Sequence, residues 1–454
     1  MTGGNVQRLW AALPLMGLLA ASTAAAQAAE GLTLAEALRR AESTDPSYLA
    51  AVNDSTSTAF ERRHAWGTVL PDLRLSISTG GSYSRTLTAT DAYGEPIRRE
   101  TPLTYTGSSA AQGISMGGVL WDPARLPRLR DVSARSQGAD ARVRRERLRV
   151  HMDVTVDYYT LLTQQRLVRL EERLLEAARA RRDLTERKLP TLGSGPLDLL
   201  RAELSLAEQQ QAVERARGEA RKARLALSRR MGTLDTLYSP TGELPDTFDP
   251  RALDAERLVA TALEGSPEVQ QLAAAEQSAL HRTHAAQGSR WPAISFSAGL
   301  NRGFHRSGYG ALFTVDPPNL SMSFGLSTSF TVFDQFRGAN ARLQARMSYT
   351  NAQLQSRNTR LETERTVRTS LIDLVTAFDE VRIAESAVKI AATAVSIANE
   401  QYRRGIIRYE DVQGVVTQAA YAERSIDHAR LSFARAALGL EKVIGEPLAS
   451  SARR

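Results

Sequence analysis

Cysteine is missing from all 454 residues, which excludes disulfides, thiolate metal ligands and a lipid-bearing N-terminal cysteine. Lysine is scarce, with Lys188, Lys222, Lys389 and Lys442 the only four among 58 basic residues. Beyond residue 28 no apolar run approaches the roughly 20 residues that a spanning helix requires, so no transmembrane helix is expected. No G-x-S-x-G elbow, P-loop or H-E-x-x-H motif occurs, which leaves no catalytic centre and no call for a cofactor. The six histidines are scattered; His281 and His284 stand one helical turn apart, but no cysteine or carboxylate completes a metal set beside them. They read as surface residues of a helix. The formal charge is +8, and Arg8 is the only charge in the first 28 residues, so the remainder carries +7. Its arginines alternate with acids, as around Glu146 between Arg142 and Arg149. That pattern marks helix faces and argues against nucleic acid as a partner.

What is present begins with an export signal. Arg8, the apolar stretch Leu9 to Ala21 and the small residues ending in Ala26-Gln27-Ala28 form a signal peptide over 1–28. After it the chain repeats itself. Pro46 and Pro71 recur as Pro267 and Pro292, 221 residues on, and Trp121-Asp122, Asp198-Leu199 and Met231-Gly232 recur as Phe333-Asp334, Asp411-Val412 and Ile444-Gly445, 212 to 213 residues on. The boundaries read as short helices 29–72, a β-hairpin 73–121 and a long helical hairpin 122–233. A linker at 234–252 leads to the second copy, with short helices 253–292, a hairpin 293–333 and a helical hairpin 334–446 before the tail 447–454.

Period-two alternation defines the strands: Leu320, Met322, Phe324, Leu326, Phe330 and Val332 alternate with small polar residues, as do Ile294, Phe296, Ala298 and Leu300. The first copy carries Leu73, Leu75, Ile77 and Tyr83, then Ile114, Met116 and Leu120, around a loop expected at Thr88 to Pro102; the second loop is expected at Ser307 to Pro318. Helix breakers are absent from Arg128 to Lys188, and proline is absent from Gln335 to Arg404. At 1.5 Å per residue such helices extend about 90 to 105 Å and need packing along their length. Sevens supply it: Val367, Leu374, Val381, Val388 and Val395 form one row and Ile383, Ile390 and Ile397 another, with Val154, Leu161, Val168 and Leu175 beside Leu167 and Leu174 in the first copy. Heptads of this kind imply left-handed coiled coils, and two rows imply two neighbours.

Polar helices of that length project into water, whereas strands of 10 to 13 alternating residues match an outer-membrane barrel. Open edges are not tolerated in lipid. One chain supplies four strands, so three chains with twelve strands are expected to close the barrel through heterologous interfaces.

These features resemble the TolC-like outer-membrane efflux proteins over the whole mature chain. The sharpest match is Tyr402-Arg-Arg-Gly405-Ile-Ile-Arg-Tyr-Glu-Asp411; the first copy keeps Asp198-Leu199-Leu200 but reaches it through Lys188-Leu-Pro190-Thr-Leu-Gly193-Ser-Gly195-Pro196, one residue shorter. The resemblance implies a mainly α fold with a small transmembrane β part: a trimeric 12-stranded β-barrel continued by a periplasmic α-helical barrel. It further implies a homotrimer in the outer membrane lipid of a Gram-negative cell, docked on a periplasmic adaptor and an inner-membrane RND or ABC-type transporter. By the same resemblance Asp198, Tyr402, Gly405 and Asp411 form the periplasmic gate, with Tyr402 near Asp198. Gly193, Gly195, Arg404 and Ile406 are the adaptor-contacting tip. Ile407 and Gly414 stand where some relatives carry an arginine and an aspartate, so either the gate is weaker here or Arg403, Arg404 or Arg408 is the substitute cation. Asp198 and Asp411 also suit a second reading as helix N-terminal residues favoured by the macrodipole. The competing function is an exported structural or adhesive coiled-coil protein without transport activity. Against it stands an apolar hairpin face that no other segment is patterned to cover.

Overall fold

The computed structural model describes residues 31–90, 92–188, 195–234, 238–308 and 319–448; the signal peptide and Gly193 lie outside them. The chain runs β1 (Gly31–Leu32), α1 (Leu34–Thr44), α2 (Pro46–His64), β2 (Asp72–Thr90), β3 (Pro96–Trp121), α3 (Arg125–Lys188), α4 (Pro196–Arg230) and β4 (Ser239–Pro240). It continues through α5 (Ala255–Gly265), α6 (Pro267–Gly288), β5 (Ala293–Ser307), β6 (Asn319–Ser329), α7 (Arg337–Arg403) and α8 (Tyr409–Ile444). Related caps start the short helices of both copies. Thr33 and Asp254 accept the backbone N–H groups of Glu36 and Glu256, and proline occupies the first turn of α2 and α6. An oxygen at the cap satisfies a free helix donor, and proline gives up a donor that has no partner there.

β2, β3, β5 and β6 form one antiparallel sheet in that order. Its register aligns Leu73, Met116, Ala298 and Phe324 in one row and Leu75, Ile114, Leu300 and Met322 in the next. Ser76, Gly113, Asn301 and Ser321 align on the opposite face. Strand alternation thus becomes an apolar face and a small polar face. Leu73, Leu75, Ile77, Phe324 and Leu326 are 71 to 75% exposed, so none of the described residues covers the apolar face. The loop expected at 88–102 is shorter: pairing continues through Thr88 with Arg98 and Thr90 with Pro96, past a register shift between Thr86 and Thr88. The threonines here favour extended backbone, and the turn contracts around Gly94, whose φ is +89°. Most of the second expected loop, 309–318, falls outside the described residues.

The long helices reach about 96 Å for α3 and about 100 Å for α7, from 64 and 67 residues. They stand as a wall in the order α4, α3, α8, α7. Val367, Leu374 and Val381 are buried in that wall, with Val388 and Val395 half-buried below them. The second row behaves differently. Ile383, Ile390 and Ile397 stay 69, 68 and 54% exposed, and Leu354, Leu361 and Ile372 continue the exposed stripe along α7.

The segment read as a linker does more than connect. Its β4 pairs in parallel with β1, Gly31 beside Ser239 and Leu32 beside Pro240. The Tyr158 hydroxyl, buried on α3, lies within bonding distance of the Leu32 carbonyl at 2.9 Å and of the Thr241 carbonyl. Leu32, Ala37, Ala41, Val150, Val154, Leu161 and Met231 pack around this clip. A two-residue strand carries too little periodicity to be read from sequence.

Candidate functional site: the tip of the helical wall

Four helix ends meet at the end of the wall remote from the sheet. α7 stops because Gly405 takes a left-handed φ of +75°. The Ile406 N–H then bonds back to the Gln401 carbonyl at 2.9 Å and the Gly405 N–H to the Tyr402 carbonyl at 3.0 Å, a C-terminal closure for which glycine carries no steric penalty. Arg404 reaches back to Glu400 at 2.8 Å, and Ile406 is 66% exposed. α8 and α4 then start alike. Asp411 accepts the Arg408 N–H at 3.1 Å and Asp198 the Gly195 N–H at 3.2 Å. Both carboxylates therefore act at their own helix N-termini, where the dipole favours them.

Behind the loop lies a small core. Tyr402, Tyr409, Ala202, Val412 and Val416 are buried together, with Leu184, Val395 and Ile407 against them. The rings of Tyr402 and Tyr409 meet edge to face at 6.2 Å. The Tyr402 hydroxyl shares a 3.0 Å hydrogen bond with Thr185 on α3. The Gln413 amide donates to the Ser205 hydroxyl at 2.8 Å, and Arg201 pairs with Glu410 at 2.9 Å. The last three contacts tie the first copy to the second. Burial pushes the Tyr409 phenol up, with the charges of Tyr402 and Asp198 adding to it and Arg181 opposing. Burial pushes the Arg181 guanidinium down, and its Nε has no hydrogen-bond partner.

The structure thus places Asp198, Tyr402, Gly405 and Asp411 at one end of the wall, together with Gly195, Arg404 and Ile406. The sequence reading missed Thr185, Ser205, Arg181 and Gln413, and it quoted Tyr409 without giving it a role. Only Tyr409 carried a signal, its place between Gly405 and Asp411.

Further up, Glu171 of α3 is buried and accepts both arms of Arg424 of α8, at 2.6 and 2.9 Å, and the Gln209 amide of α4 at 2.7 Å. Burial alone would raise this carboxyl; the hydrogen bonds from Arg424 and Gln209 outweigh it and hold it below its ordinary value. His281 and His284 lie on α6 with ring centroids 6.4 Å apart. No group of three metal-binding side chains occurs among the described residues.

Comparison with known proteins is informative at this point. The family model for outer membrane efflux protein matches residues 258–446, the second copy almost in full. No curated protein matches by sequence. Among solved structures, the Campylobacter jejuni CmeC outer membrane channel is similar over 91% of this chain and 85% of its own, at 17% identity and a TM-score of 0.75. VceC, an outer membrane protein of Vibrio cholerae, is similar over 91 and 96% at 16% identity and 0.75. The open state of the Neisseria gonorrhoeae MtrE outer membrane channel is similar over 91 and 89% at 15% identity and 0.71.

Proposed function

We propose that this chain is an outer-membrane efflux channel subunit reaching into the periplasm, that three copies close into one duct and that the tip described above is its periplasmic gate. The observation that carries the reading is the pair of unsatisfied edges. Among the described residues β2 and β6 end the sheet with no strand beyond them. On the same two sides, α4 exposes Leu197, Leu204 and Leu225, and α7 exposes Leu354, Leu361, Ile372, Ile383, Ile390 and Ile397. One edge of each kind per chain is what a heterologous ring requires, and apolar stripes at heptad spacing are what a neighbouring helix covers. The apolar sheet face then meets lipid, and the serine and glycine face lines the passage.

Within the duct, Asp198 and Asp411 give the tip its negative charge, and Tyr402 restrains it through Thr185. Gly195, Arg404 and Ile406 meet a periplasmic adaptor, and an inner-membrane transporter of RND or ABC type delivers the cargo. Arg181, half-buried beside Tyr409, supplies a cation at the tip where Ile407 does not.

The chain has no cysteine, so paired substitutions give a clean test. Leu204 lies near the level of Ile397, because Ala202 and Tyr402 share one cluster. Leu204→Cys with Ile397→Cys is expected to cross-link neighbouring chains into covalent trimers that remain in the detergent-extracted membrane fraction. A species that stays monomeric, or that salt washing alone releases from membranes, refutes the reading and favours the adhesive coiled-coil alternative.

A further inference from the structure

Where the sheet joins the helices, a cavity of about 980 Å³ opens between α6, α7 and the base of the barrel strands. Arg290, Arg342 and Arg346 line it together with Trp291, Phe330 and Leu343. Among the described residues no carboxylate lines it. Arg342 and Arg346 stand one turn apart on the same face of α7. Among the described residues none of the three arginines forms an ion pair, whereas Arg365, Arg368, Arg382 and Arg403 further along α7 do. Arg290 and Arg346 are exposed and Arg342 is half-buried, so three guanidinium groups without a carboxylate partner set uncompensated positive charge around one apolar-walled cavity, which favours an anion there.

The level of the cavity says which anion. Thr328, also on its wall, pairs in register with Ile294, two residues beyond the row of Phe296 and Leu326 on the apolar face. The cavity therefore opens on the face that meets lipid, at the edge of the apolar band nearest the helices. Exposed Trp66, Trp121, Trp291, Phe330, Phe333 and Phe336 gather at this junction, as aromatic side chains do where hydrocarbon gives way to headgroups. A phosphate there is within reach of the guanidinium forks, and its acyl chains run along the apolar rows.

We propose that this cavity binds an anionic glycerophospholipid of the periplasmic leaflet, its phosphate held by Arg290, Arg342 and Arg346 and its glycerol end seated against Trp291 and Phe330. The proposal rests on the membrane placement of the sheet argued above.

The test compares the intact detergent-extracted protein with Arg342→Gln/Arg346→Gln and with Arg342→Lys/Arg346→Lys. Lipid carried through purification is identified by mass spectrometry, and thermal unfolding is followed with added dihexanoyl phosphatidylglycerol or phosphatidylcholine. Retained phosphatidylglycerol or cardiolipin is expected to fall about tenfold in the glutamine variant and to recover largely in the lysine variant. Phosphatidylglycerol, and not phosphatidylcholine, is expected to raise the unfolding temperature of the parent protein alone. Equal lipid retention in parent and glutamine variant overturns the proposal, as does selective retention of lipid A from the opposite leaflet. So does loss of the oligomer with unchanged lipid, since the arginines would then serve a seam between chains. Failure of the channel reading looks different, because the parent protein itself would then leave membranes on salt washing.

Discussion

The two repeats share an outline, yet charge and apolar packing contribute in different proportion to fastening their short helices to their long ones. In the first, an ion ladder extends past the small apolar cluster of Ala37, Ala41, Val150 and Val154. Arg135, Arg142 and Arg149, spaced by sevens on α3, meet Glu61, Asp54 and Asp45 at 3.3, 3.4 and 3.0 Å. Arg147 and His151 share Glu42. In the second, the residues 212 further on are Met347, Leu354 and Leu361, all exposed. Its fastening is chiefly a core of Leu258, Val259, Ala262, Val367, Leu374, Phe433, Leu440 and Ile444, with the ion pairs of Arg251 with Asp379 and Arg368 with Glu256 at its edge. A heptad row therefore says that something packs there and leaves open whether a carboxylate ladder, an apolar core or another chain does so. The exposed apolar row of the second repeat is surplus within one chain, which is why it is assigned to a neighbour.

The largest effect that would sharpen this contrast is expected in the second repeat. Phe433 is 2% exposed and packs edge to face on Phe248 at 5.5 Å. Phe433→Ala is expected to cost about 3 to 5 kcal/mol, read as a lower midpoint in denaturant unfolding of the solubilised protein. A loss below about 1 kcal/mol would mean that this core does not hold the repeat.

Next comes the joint between repeats. Glu171→Ala leaves Arg424 without its carboxylate and Gln209 without its acceptor, an expected cost of about 2 to 3 kcal/mol after allowing for the water that Arg424 reaches. Glu171→Gln should cost less. Equal unfolding curves for all three proteins would show that the pair adds nothing.

Acid should separate the repeats more gently. For Glu42 and Glu146, burial works to raise the carboxyls, but hydrogen bonds from Arg147 and His151, and from Arg149 and Arg145, outweigh it and hold both below their ordinary 4.5. A carboxyl depressed in the folded state contributes stability above its unfolded value and loses it as pH falls through the folded one. Amide exchange in α1 and α2 should therefore accelerate below about pH 4.5, before exchange in α5 does. Asp427 and Glu441 run the other way. Burial raises both, so their stabilising contribution exists at acid pH and is lost as pH rises. Simultaneous acceleration in both repeats would break the comparison.

The smallest effect is expected at the tip. Tyr402→Phe removes one hydrogen bond to Thr185, about 1 kcal/mol, and should increase antibiotic leakage and single-channel conductance without altering assembly. Unchanged leakage would leave Tyr402 as packing beneath the tip loop.

Part of the tip was legible and part was not. Gly405 announced a helix end because only a residue without Cβ adopts its φ cheaply, and Asp198 and Asp411 announced helix starts because a carboxylate there meets free N–H groups. Thr185, Ser205 and Gln413 announced nothing. Each is an ordinary polar residue of a long helix, and its partner lies more than 200 residues away or across the wall. Arg142 and Arg149 read as a solvated face because spacing shows which residues share a side, not what stands opposite.

By itself the sequence determined the duplication, the two long hairpins and the faces of the strands. Those follow from local periodicity and from helix breakers, neither of which depends on what packs where. Tertiary structure decided the order of the helices in the wall, the clip between β1 and β4, the ion ladder of the first repeat and which heptad row was left exposed. These are pairings between distant segments, and hydrophobic burial is non-directional: an apolar row is satisfied by any partner, so only the fold says which one it has.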